Sequence, residues 1–308
     1  MDVSIAIVSY NTKDLLYKCL FSIFDKTRDL DFEVIVIDNS SSDGTVQMLN
    51  SLPFPIKAIA NSSNLGFSKA INQAFKISLG KFFFILNPDT ELINDAILEL
   101  MNFMKAHPDS GVVGPRLMYP DGGLHSSSRR FLTLAVALMD VLQLSLYFPK
   151  NTFTRNYTYD YWEHDYIREV DWVTGAALMT KRDIYKKTGM LDEDFFMYCE
   201  DMDYCLSSKK LGFNTFFNPK ALVCHHHAKG GSQYSNVRSV EYYKSMYLYI
   251  KKHSGKPKAF TFRIFVYCWA IVYLIVRLIK FPFTRNRSSI IQYLRVPLKL
   301  LRWQGYGQ

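Results

Sequence analysis

The sequence predicts an α/β fold with a mainly parallel central sheet flanked by helices. The first observation is a set of three short apolar runs, rich in β-branched or aromatic residues and bounded by turn residues, at Val3–Val8, Glu33–Ile37 and Phe82–Leu86. Runs of this length and composition are typical of buried strands. The second observation is that segments with helical spacing separate them, which favours parallel strand pairing through helical crossovers.

The predicted helices follow the strands in order. Lys13–Phe24 and Thr45–Leu52 carry apolar residues at helical spacing, and Ser68–Ser78 does so after the turn Asn64-Leu65-Gly66. In sheets built this way, ligands bind beyond the carboxyl ends of the strands. The residues that directly follow each strand are therefore the first candidates for a functional site.

Those residues are polar after all three strands. They are Ser9-Tyr10-Asn11, Asp38-Asn39-Ser40 and Asn87-Pro88-Asp89. Any one of these segments alone is explained by turn or helix-cap chemistry. Three of them converging on one edge of a sheet indicate a ligand site.

The net charge of +9 is located in the carboxyl-terminal part of the chain. Twelve of the 37 Lys and Arg residues lie from Lys251 onward, where there is no Asp or Glu, so the preceding 250 residues carry a net charge of −3. A mildly acidic body with a basic, aromatic-rich tail favours an anionic membrane surface over nucleic acid as the partner. We expect a first domain over residues 1–250 and a membrane-associating helical tail over 251–308.

The tail contains the uncharged stretch Ile264–Val276, thirteen residues flanked by Arg263 and Arg277. Thirteen residues are fewer than the roughly 20 that span a bilayer, so we expect an amphipathic interfacial or re-entrant helix, with Trp269 at the interface. A buried helix remains an alternative, as does a true span in which the two arginines snorkel.

The cysteines and the amino terminus both indicate a cytoplasmic protein. The start MDVSIAIVSYN has no basic stretch, apolar run and cleavage site in succession, so no secretory signal is predicted. The cysteines are odd in number and show no CxxC spacing, which indicates neither a disulfide framework nor a zinc site. They are Cys19, Cys199, Cys205, Cys224 and Cys268.

An acidic cluster lies in the segment DEDFFMYCEDMDYCLSSKKLGF. From Glu200 the pattern predicts a helix that begins with carboxylates and ends in Lys209-Lys210 before Gly212. The helix dipole accounts for one or two of these acids, but not for the apolar approach Phe195-Phe196-Met197-Tyr198. Burial beside such residues would raise the pKa of a carboxyl group and suit it to act as a general base.

Eight segments together resemble the family 2 glycosyltransferases, which are inverting enzymes of the GT-A fold, and especially their rhamnosyltransferase-like branch in bacterial surface polysaccharide synthesis. The segments occur in the family's order over about residues 3–232. They are IVSYN, VIVIDNSSSDGT, NLGFSKAIN, ILNPDTEL, SSSRRF, VDWVTGAALMTKRD, FFMYCEDMDYCLSSKKLGF and VCHHHAKGGS.

The resemblance implies a nucleoside-diphosphate sugar as donor. Asp38 matches the carboxylate that accepts a hydrogen bond from the donor's pyrimidine ring, and the imide N–H of uracil or thymine is a suitable partner for it. Tyr10 and Asn11 are expected to hold the nucleotide. Asn64 and Gly66 are expected to line the same pocket, where glycine would let the backbone approach a ligand closely.

The resemblance also implies a divalent metal ion, Mn²⁺ or Mg²⁺. The family's Asp-x-Asp motif stands here as Asn87-Pro88-Asp89, so one carboxylate is missing, and Asn87 is assigned to donor binding. Asp89 can still bind such an ion together with diphosphate oxygens and water. His225 or His226 would add a nitrogen ligand, which favours Mn²⁺. Alternatively, the three histidines at 225–227 are surface residues without a ligand role.

For the reaction, the resemblance assigns Asp201, beside Glu200, as the base that takes the proton from the acceptor hydroxyl. A single displacement through an oxocarbenium-like transition state then inverts the anomeric carbon. Arg129 and Arg130 are either phosphate contacts or solvated loop charges. The residues expected at the acceptor site are Trp172, which would offer an apolar face to a sugar ring, and Gly175, Ala176 and Asp203.

The resemblance points to rhamnose from its deoxythymidine-diphosphate donor and to a lipid-linked or growing polysaccharide acceptor at the cytoplasmic face of the membrane. Galactofuranose, glucose and N-acetylated hexoses remain open. A nucleotidyltransferase would carry a glycine-rich phosphate loop near its start, and IVSYNTKDLL has no glycine. A non-catalytic nucleotide-sugar-binding protein is the other alternative, favoured by Asn87 and opposed by the Glu200-Asp201 pair.

Overall fold

The structure is a computed structural model that describes residues 1–142, 144, 148, 152–159, 161–226 and 235–280. These residues form two compact units. The first comprises the described residues within 1–131, 158–196 and 200–230, and the second comprises the described residues within 132–157, 197–199 and 231–308. His227 and residues 281–308 of the expected tail lie outside the described residues.

Twelve strands and ten helices are described, numbered here in chain order. The strands are β1 (Val3–Ser9), β2 (Phe32–Asp38), β3 (Ile56–Ala60), β4 (Phe82–Leu86), β5 (Thr90–Leu92), β6 (Ser110–Met118), β7 (Leu124–His125), β8 (Ser128–Arg129), β9 (Arg168–Val170), β10 (Trp172–Val173), β11 (Ala177–Lys181) and β12 (Asn214–His225). The helices are α1 (Lys13–Lys26), α2 (Thr45–Ser51), α3 (Phe67–Ile77), α4 (Ala96–Ala106), α5 (Leu134–Val141), α6 (Thr152–Thr158), α7 (Arg182–Lys187), α8 (Glu200–Lys210), α9 (Ser235–Ser254) and α10 (Lys256–Lys280).

The central sheet has the order β3-β2-β1-β4-β11-β6-β12-β5. Strands β3, β2, β1 and β4 are mutually parallel, and β12 is parallel to β6. β11 runs antiparallel to both of its neighbours, and β5 and β9 are antiparallel to β12. The predicted α/β fold with a mainly parallel sheet is confirmed for its first half, which is joined to a mixed second half.

The sheet is covered by helices because its strands are apolar on both faces. Ile5 and Ile7 of β1 pack in one cluster with residues of α1 and α4 such as Leu20 and Leu100. On the other face, Phe83 of β4 contacts an aromatic ring of α3, with 5.2 Å between ring centroids. Burying side chains of this size contributes about 1.5–3 kcal/mol each. The core therefore holds the carboxyl ends of β1, β2 and β4 in fixed register.

A two-stranded ribbon lies apart from the central sheet. β8 pairs antiparallel with β10, so that Trp172 lies opposite Arg129. Strands this short and irregular give no period-2 signal in the sequence, and the sequence prediction did not include them.

In the second unit, α10 packs against α5 and α9. One face of α10 is buried through Ala259, Phe262, Val266 and Ala270. The spacing of three or four residues is that of one helical face. Other apolar residues of α10 are exposed, among them Phe260, Ile264, Ile271, Val272 and Ile275.

The predicted thirteen-residue apolar stretch lies within helix α10, which is 25 residues long. By length and composition alone, it is the one helix among the described residues that could cross a membrane. The prediction of an interfacial helix, and the domain boundary at residue 250, stay predictions.

Candidate active site

The carboxyl ends of β1 and β2 are joined at the predicted ligand edge. Ser9 lies opposite Asp38 in the parallel register, and the backbone N–H of Asn39 donates to the carbonyl of Ser9 at 2.8 Å. The N–H of Asn61, beyond β3, donates to the carbonyl of Asp38 at 2.8 Å. The polar strand ends that the sequence singled out therefore meet in three dimensions.

Asp38 is buried, with 2% of its surface exposed, and only one of its carboxylate oxygens is satisfied by the described residues. Oδ2 accepts a hydrogen bond from the N–H of Ser41 at 2.9 Å. Oδ1 has no hydrogen-bond partner among the described residues. A buried acceptor without a donor costs free energy, so a ligand N–H at this point would be favoured.

Tyr10 and Asn11 follow β1 in different roles. Tyr10 is exposed. Asn11 has a left-handed backbone (φ 53°), and its Oδ1 accepts a hydrogen bond from the N–H of Ser42 at 2.8 Å. Its own N–H donates to Ser41 Oγ at 2.9 Å. Asn11 thus joins the loop after β1 to the loop after β2 and so holds the Asp38 region in place.

We expected glycine at position 66 because it lets the backbone approach a ligand closely, but the structure shows a different reason. Asn64 Oδ1 accepts the N–H of Gly66 at 2.9 Å, and Gly66 has φ +85°. A Cβ at Gly66 would lie 2.7 Å from the ring and from the carbonyl oxygen of Phe196. The close approach at Gly66 is therefore made by Phe196, whose carbonyl also accepts the N–H of Phe67 at 2.7 Å.

An asparagine network that the sequence prediction missed supports this turn. Asn39 Nδ2 donates to the carbonyl of Gly66 at 3.0 Å, and Asn61 Nδ2 donates to Asn39 Oδ1 at 2.9 Å. Asn39 follows Asp38 directly, so this signal was present in the sequence as the second residue of the DNS segment. The network ties the loop after β2 to the amino terminus of α3.

Asp89 is brought against the end of β12. Its Oδ1 lies 3.2 Å from Nε2 of His225, and its carbonyl accepts the N–H of His226 at 2.8 Å. His226 points to the other side of the strand, where its Nε2 lies 2.6 Å from Oε1 of Glu91. Successive side chains of a strand face opposite sides. The structure therefore favours His225 over His226 as the partner of Asp89, and the predicted role of His226 as a metal ligand loses its support.

A third histidine, His125, extends this pair. Its Nδ1 lies 3.2 Å from Nδ1 of His225, so one of the two nitrogens carries the proton of this hydrogen bond. His125 ends β7 and occurs in the sequence as a single histidine 100 residues before His225, which gave no signal for pairing. The sequence prediction therefore did not contain His125.

The donor atoms fit a divalent ion only in part. Asp89 and His225 offer one oxygen and one nitrogen, a set compatible with Mn²⁺. No group of three or more potential metal-ligating side chains occurs among the described residues. Diphosphate oxygens and water would have to complete the coordination, as is common for ions of this kind.

The acidic pair begins α8, as predicted. Asp201 Oδ2 accepts the backbone N–H of Gly175 at 2.8 Å, and Oδ1 accepts the N–H of Met202 at 2.8 Å. Desolvation raises the pKa of Asp201, while these hydrogen bonds and the positive charge of Arg129 act in the opposite direction. A carboxylate that is desolvated yet held by two N–H groups is oriented to accept a proton.

Glu200 is held differently. It is 6% exposed, and its Oε2 has no hydrogen-bond partner within the described part of the chain. Desolvation, followed by the charge of Asp201, raises its pKa well above the ordinary value. Tyr198 and Cys199, which precede it, both have left-handed backbones, with φ of 72° and 64°. Such conformations are costly for residues other than glycine and cluster at functional sites.

Asp201 and the Asp89 segment are linked through one short stretch of backbone. Gly175 binds Asp201, and the next residue, Ala176, accepts the N–H of Asn87 on its carbonyl at 2.9 Å. Asn87 lies two residues before Asp89. The acidic pair and the Asn87-Pro88-Asp89 segment therefore lie at the same end of β4 and β11.

The expected acceptor residues fall into different positions. Gly175 holds Asp201, and Ala176 is buried. Trp172 is 9% exposed, its Nε1 donates to the carbonyl of Arg130 at 2.8 Å, and the guanidinium of Arg129 lies 5.7 Å from its ring centroid. The indole ring of Trp172, which we expected to pack on a sugar, thus packs against the guanidinium group of Arg129. Asp203 is 2% exposed, so its expected contact with the acceptor is not supported.

Comparison with known proteins identifies the family. The family model described as glycosyl transferase family 2 matches residues 4–187, which is more than half of the chain. This chain belongs to glycosyl transferase family 2. It is therefore a glycosyltransferase, and the nucleotidyltransferase and non-catalytic alternatives are set aside.

Among curated relatives of this glycosyltransferase is the N-acetylglucosaminyl-diphospho-decaprenol L-rhamnosyltransferase of Mycobacterium tuberculosis. The two are 28% identical over 235 residues, which cover 72% of this chain and 76% of the relative. The low-salt glycan biosynthesis hexosyltransferase Agl10 of Haloferax volcanii is 26% identical over 220 residues, which cover 69% of this chain and 63% of that relative.

Solved structures show the same GT-A fold. A mannosyltransferase from Pyrobaculum calidifontis, in complex with GDP-mannose and Mn²⁺, has a TM-score of 0.57 at 14% identity, covering 97% of this chain and 84% of that chain. Residues 1–349 of TarS from S. aureus, in complex with UDP, have a TM-score of 0.55 at 15% identity, covering 97% and 82%.

Proposed function

We propose that this family 2 glycosyltransferase moves rhamnose from dTDP-rhamnose to a hydroxyl of a lipid-linked glycan, with inversion at the anomeric carbon. The geometric observation that carries the assignment of a catalytic base is the hydrogen bond from Gly175 to Asp201, next to the link between Ala176 and Asn87. The relative from Mycobacterium tuberculosis supports both the sugar and a diphospho-lipid acceptor.

The donor's base binds at Asp38 in this proposal. The unpartnered Oδ1 accepts the imide N–H of thymine or uracil, which satisfies a buried atom that has no other partner among the described residues. Tyr10 covers the ring from its exposed position after β1. Asn11, Asn64 and Gly66 act on the donor indirectly, by holding the loops on either side of Asp38 in position.

The chemical step uses Asp201 as the general base. Its carboxylate takes the proton of the acceptor hydroxyl while that oxygen attacks the anomeric carbon and the bond to the diphosphate breaks. Desolvation and the charge of Asp201 raise the pKa of Glu200 well above its ordinary value, whereas two N–H groups and Arg129 act against the rise at Asp201, which favours Asp201 as the ionised member of the pair. Asp89 and His225 would hold a divalent ion, which when bound stabilises the negative charge on the leaving diphosphate.

The membrane side of the proposal rests on α10. Its exposed isoleucines lie on a helix that begins with Lys256 and Lys258 and carries no acidic residue. Basic and apolar side chains on one helix suit the surface of an anionic bilayer. We propose that residues 251–308 form the membrane-associating region, at the cytoplasmic face, of a chain whose residues 1–250 are the catalytic domain.

The decisive experiment is transfer assayed by mass spectrometry of the product. Purified full-length protein is incubated with N-acetylglucosaminyl-diphospho-decaprenol and, in separate reactions, with dTDP-rhamnose, UDP-glucose, UDP-galactofuranose or UDP-N-acetylglucosamine, with Mn²⁺ or Mg²⁺. The proposal predicts a product with dTDP-rhamnose only. A product with another donor would refute the rhamnose assignment while leaving the glycosyltransferase assignment intact.

Membrane binding has its own test. Flotation of full-length protein with vesicles containing anionic lipid is expected to fall when the exposed Ile264 and Ile271 are replaced by Asn. The matched control is Leu79→Asn, which removes an exposed apolar side chain of the first unit. Equal flotation of both variants and the wild type would rule out α10 as the membrane contact.

A further inference from the structure

A cluster of two arginines and two tyrosines beside the β8–β10 ribbon takes no part in the chemistry derived above. Arg168 Nη2 donates to Tyr161 Oη at 3.1 Å, and Arg130 hydrogen-bonds to the same phenol. The guanidinium carbons of Arg130 and Arg168 also lie 5.5 and 4.9 Å from the ring centroid of Tyr159. Two positive charges are thus gathered around one pair of aromatic rings.

The described residues provide no carboxylate ion pair for either arginine. Asp171, whose charge acts on Arg130, is bound elsewhere: Oδ2 accepts the N–H of Phe131 at 3.0 Å, and Oδ1 lies 3.3 Å from Lys209 Nζ. Two guanidinium groups that converge on the same aromatic rings repel one another. An anion bound between the two guanidinium groups would offset this repulsion.

The cluster also changes the phenol. Burial alone would raise the pKa of Tyr161. The hydrogen bonds from Arg130 and Arg168 outweigh this effect and hold the pKa of Tyr161 below its ordinary value. Tyr161 is exposed, so a ligand can reach its hydroxyl from solvent. A phenol O–H whose oxygen accepts hydrogen bonds from guanidinium groups is a stronger donor to an anion.

We propose that Arg130, Arg168 and the hydroxyl of Tyr161 bind the diphosphate group of the lipid-linked acceptor. Guanidinium groups match phosphate oxygens with two parallel N–H donors each, and paired arginines are suited to a diphosphate. The inference rests on the proposed function, because it takes a diphospho-lipid as the acceptor.

The position of the cluster relative to the base agrees with this assignment. Arg129 of β8 lies over Trp172, and its charge acts on Asp201. Arg130 follows directly, and its carbonyl accepts Nε1 of Trp172. An acceptor sugar whose hydroxyl faces Asp201 would carry its diphosphate along this ribbon, on the side where Arg130 lies.

The test compares two acceptors on full-length protein. N-Acetylglucosaminyl-diphospho-decaprenol carries the diphosphate, whereas decyl N-acetylglucosaminide has the same sugar on a neutral alkyl chain. Arg130→Gln/Arg168→Gln is expected to raise KM for the diphosphate acceptor at least about tenfold, because hydrogen bonds to charged groups are lost. KM for the neutral acceptor and for the donor should stay the same. Tyr161→Phe should show a smaller effect in the same direction.

Two controls accompany the double variant. Arg28→Gln removes an exposed arginine elsewhere in the first unit and should leave every parameter unchanged. Arg168→Lys keeps the positive charge but loses the paired N–H donors of the guanidinium group. Its affinity for the diphosphate acceptor should therefore lie between that of wild type and that of the double variant. An unchanged KM for the diphosphate acceptor in Arg130→Gln/Arg168→Gln would overturn the inference.

The remaining outcomes separate this inference from the proposed function. If neither acceptor is glycosylated, the proposed function fails, and titration with inorganic pyrophosphate in the presence of a chelator still decides the anion site by comparing the wild type with the double variant. Equal pyrophosphate affinity would refute the site. If the double variant instead loses only flotation with anionic vesicles, the cluster binds lipid headgroups and the acceptor assignment is wrong.

Discussion

The backbone N–H of Gly175 donates to Oδ2 of Asp201 at 2.8 Å, and this contact fixes the orientation of the base that we assign. Because the neighbouring Ala176 also holds Asn87, the orientation of the base is coupled to the segment that carries Asp89. A Cβ on Gly175 would lie 3.4 Å from the Cβ of Asp201, so the backbone approaches the acid closely.

Asp201→Asn is expected to lower kcat by about a hundred- to ten-thousand-fold, because an amide cannot accept the proton of the acceptor hydroxyl. The affinity for the nucleotide donor should remain, since the base acts only in the chemical step. Single-turnover transfer and donor titration measure the two quantities. Asp194→Asn, which changes an exposed acid of the same segment, is the control. If Asp201→Asn turned over at the wild-type rate, Asp201 would not be the general base.

Glu200→Gln is expected to change how stability depends on pH. The folded state raises the pKa of Glu200, so wild-type protein holds a proton there that the unfolded chain has released. Stability contributed by this group is complete below the ordinary pKa of about 4.5 and is lost as the pH rises toward the raised value. The melting temperature of Glu200→Gln relative to wild type should therefore increase between pH 5 and pH 8. A constant difference would contradict the assignment of a neutral, buried Glu200.

Replacing each of three histidines by alanine should affect metal binding to a different degree. We expect His225→Ala to weaken Mn²⁺ binding most, measured by electron paramagnetic resonance in the presence of dTDP. His125→Ala should weaken it about ten- to a hundredfold, because outer partners orient a ligating imidazole. His226→Ala should leave it unchanged, since its ring faces Glu91. An equal loss in His225→Ala and His226→Ala would refute this division.

Asp38→Asn is expected to alter base selectivity. The asparagine oxygen can still accept the N–H of Ser41, but the amide NH₂ then faces the imide N–H of uracil or thymine, where two donors meet. Affinity for UDP and dTDP should fall about tenfold or more, whereas CDP, whose ring nitrogen is an acceptor, should lose less or gain. Calorimetric titration with the three nucleotides measures this, with Asp14→Asn as the exposed control. Unchanged selectivity would place the base elsewhere.

Gly66→Ala is expected to destabilise the protein by about 1–3 kcal/mol beyond the cost of its left-handed backbone, because the new methyl group would meet Phe196. Gly122→Ala is a matched control: Gly122 has the same φ of +85°, and nothing lies within 4 Å of its added Cβ. That variant should cost only about 1 kcal/mol. Denaturant unfolding compares the two, and equal losses would show that the contact with Phe196 does not matter.

The sequence predicted the parallel half of the sheet because each of its strands is an uninterrupted apolar run. β1, β2 and β4 lie where expected, within one or two residues at each end. β3 was missed since none of its five residues is buried and one of them is a lysine. β11 gives no sequence signal for its antiparallel direction, which is set by its pairing with β4 and β6.

The site could be predicted where a residue acts from a strand end and not where it acts through a distant partner. Asp38, Asp89 and Asp201 could be assigned from the sequence because they follow strands or begin a helix in recognisable segments. His125 could not be found, because its role depends on pairing with a strand 100 residues away. Trp172 was assigned to a sugar because sequence does not reveal that Arg129 covers its ring.

If the donor's base binds at Asp38 as proposed, the Oδ1 of this residue, which has no hydrogen-bond partner among the described residues, sets a requirement for inhibitors that occupy the base site. A compound that copies the outline of the pyrimidine but carries a methyl group on the imide nitrogen would bury that oxygen without a hydrogen bond and lose affinity despite its shape. An inhibitor designed for the base site should therefore keep one N–H directed at the carboxylate of Asp38, whereas the rest of its ring can be varied.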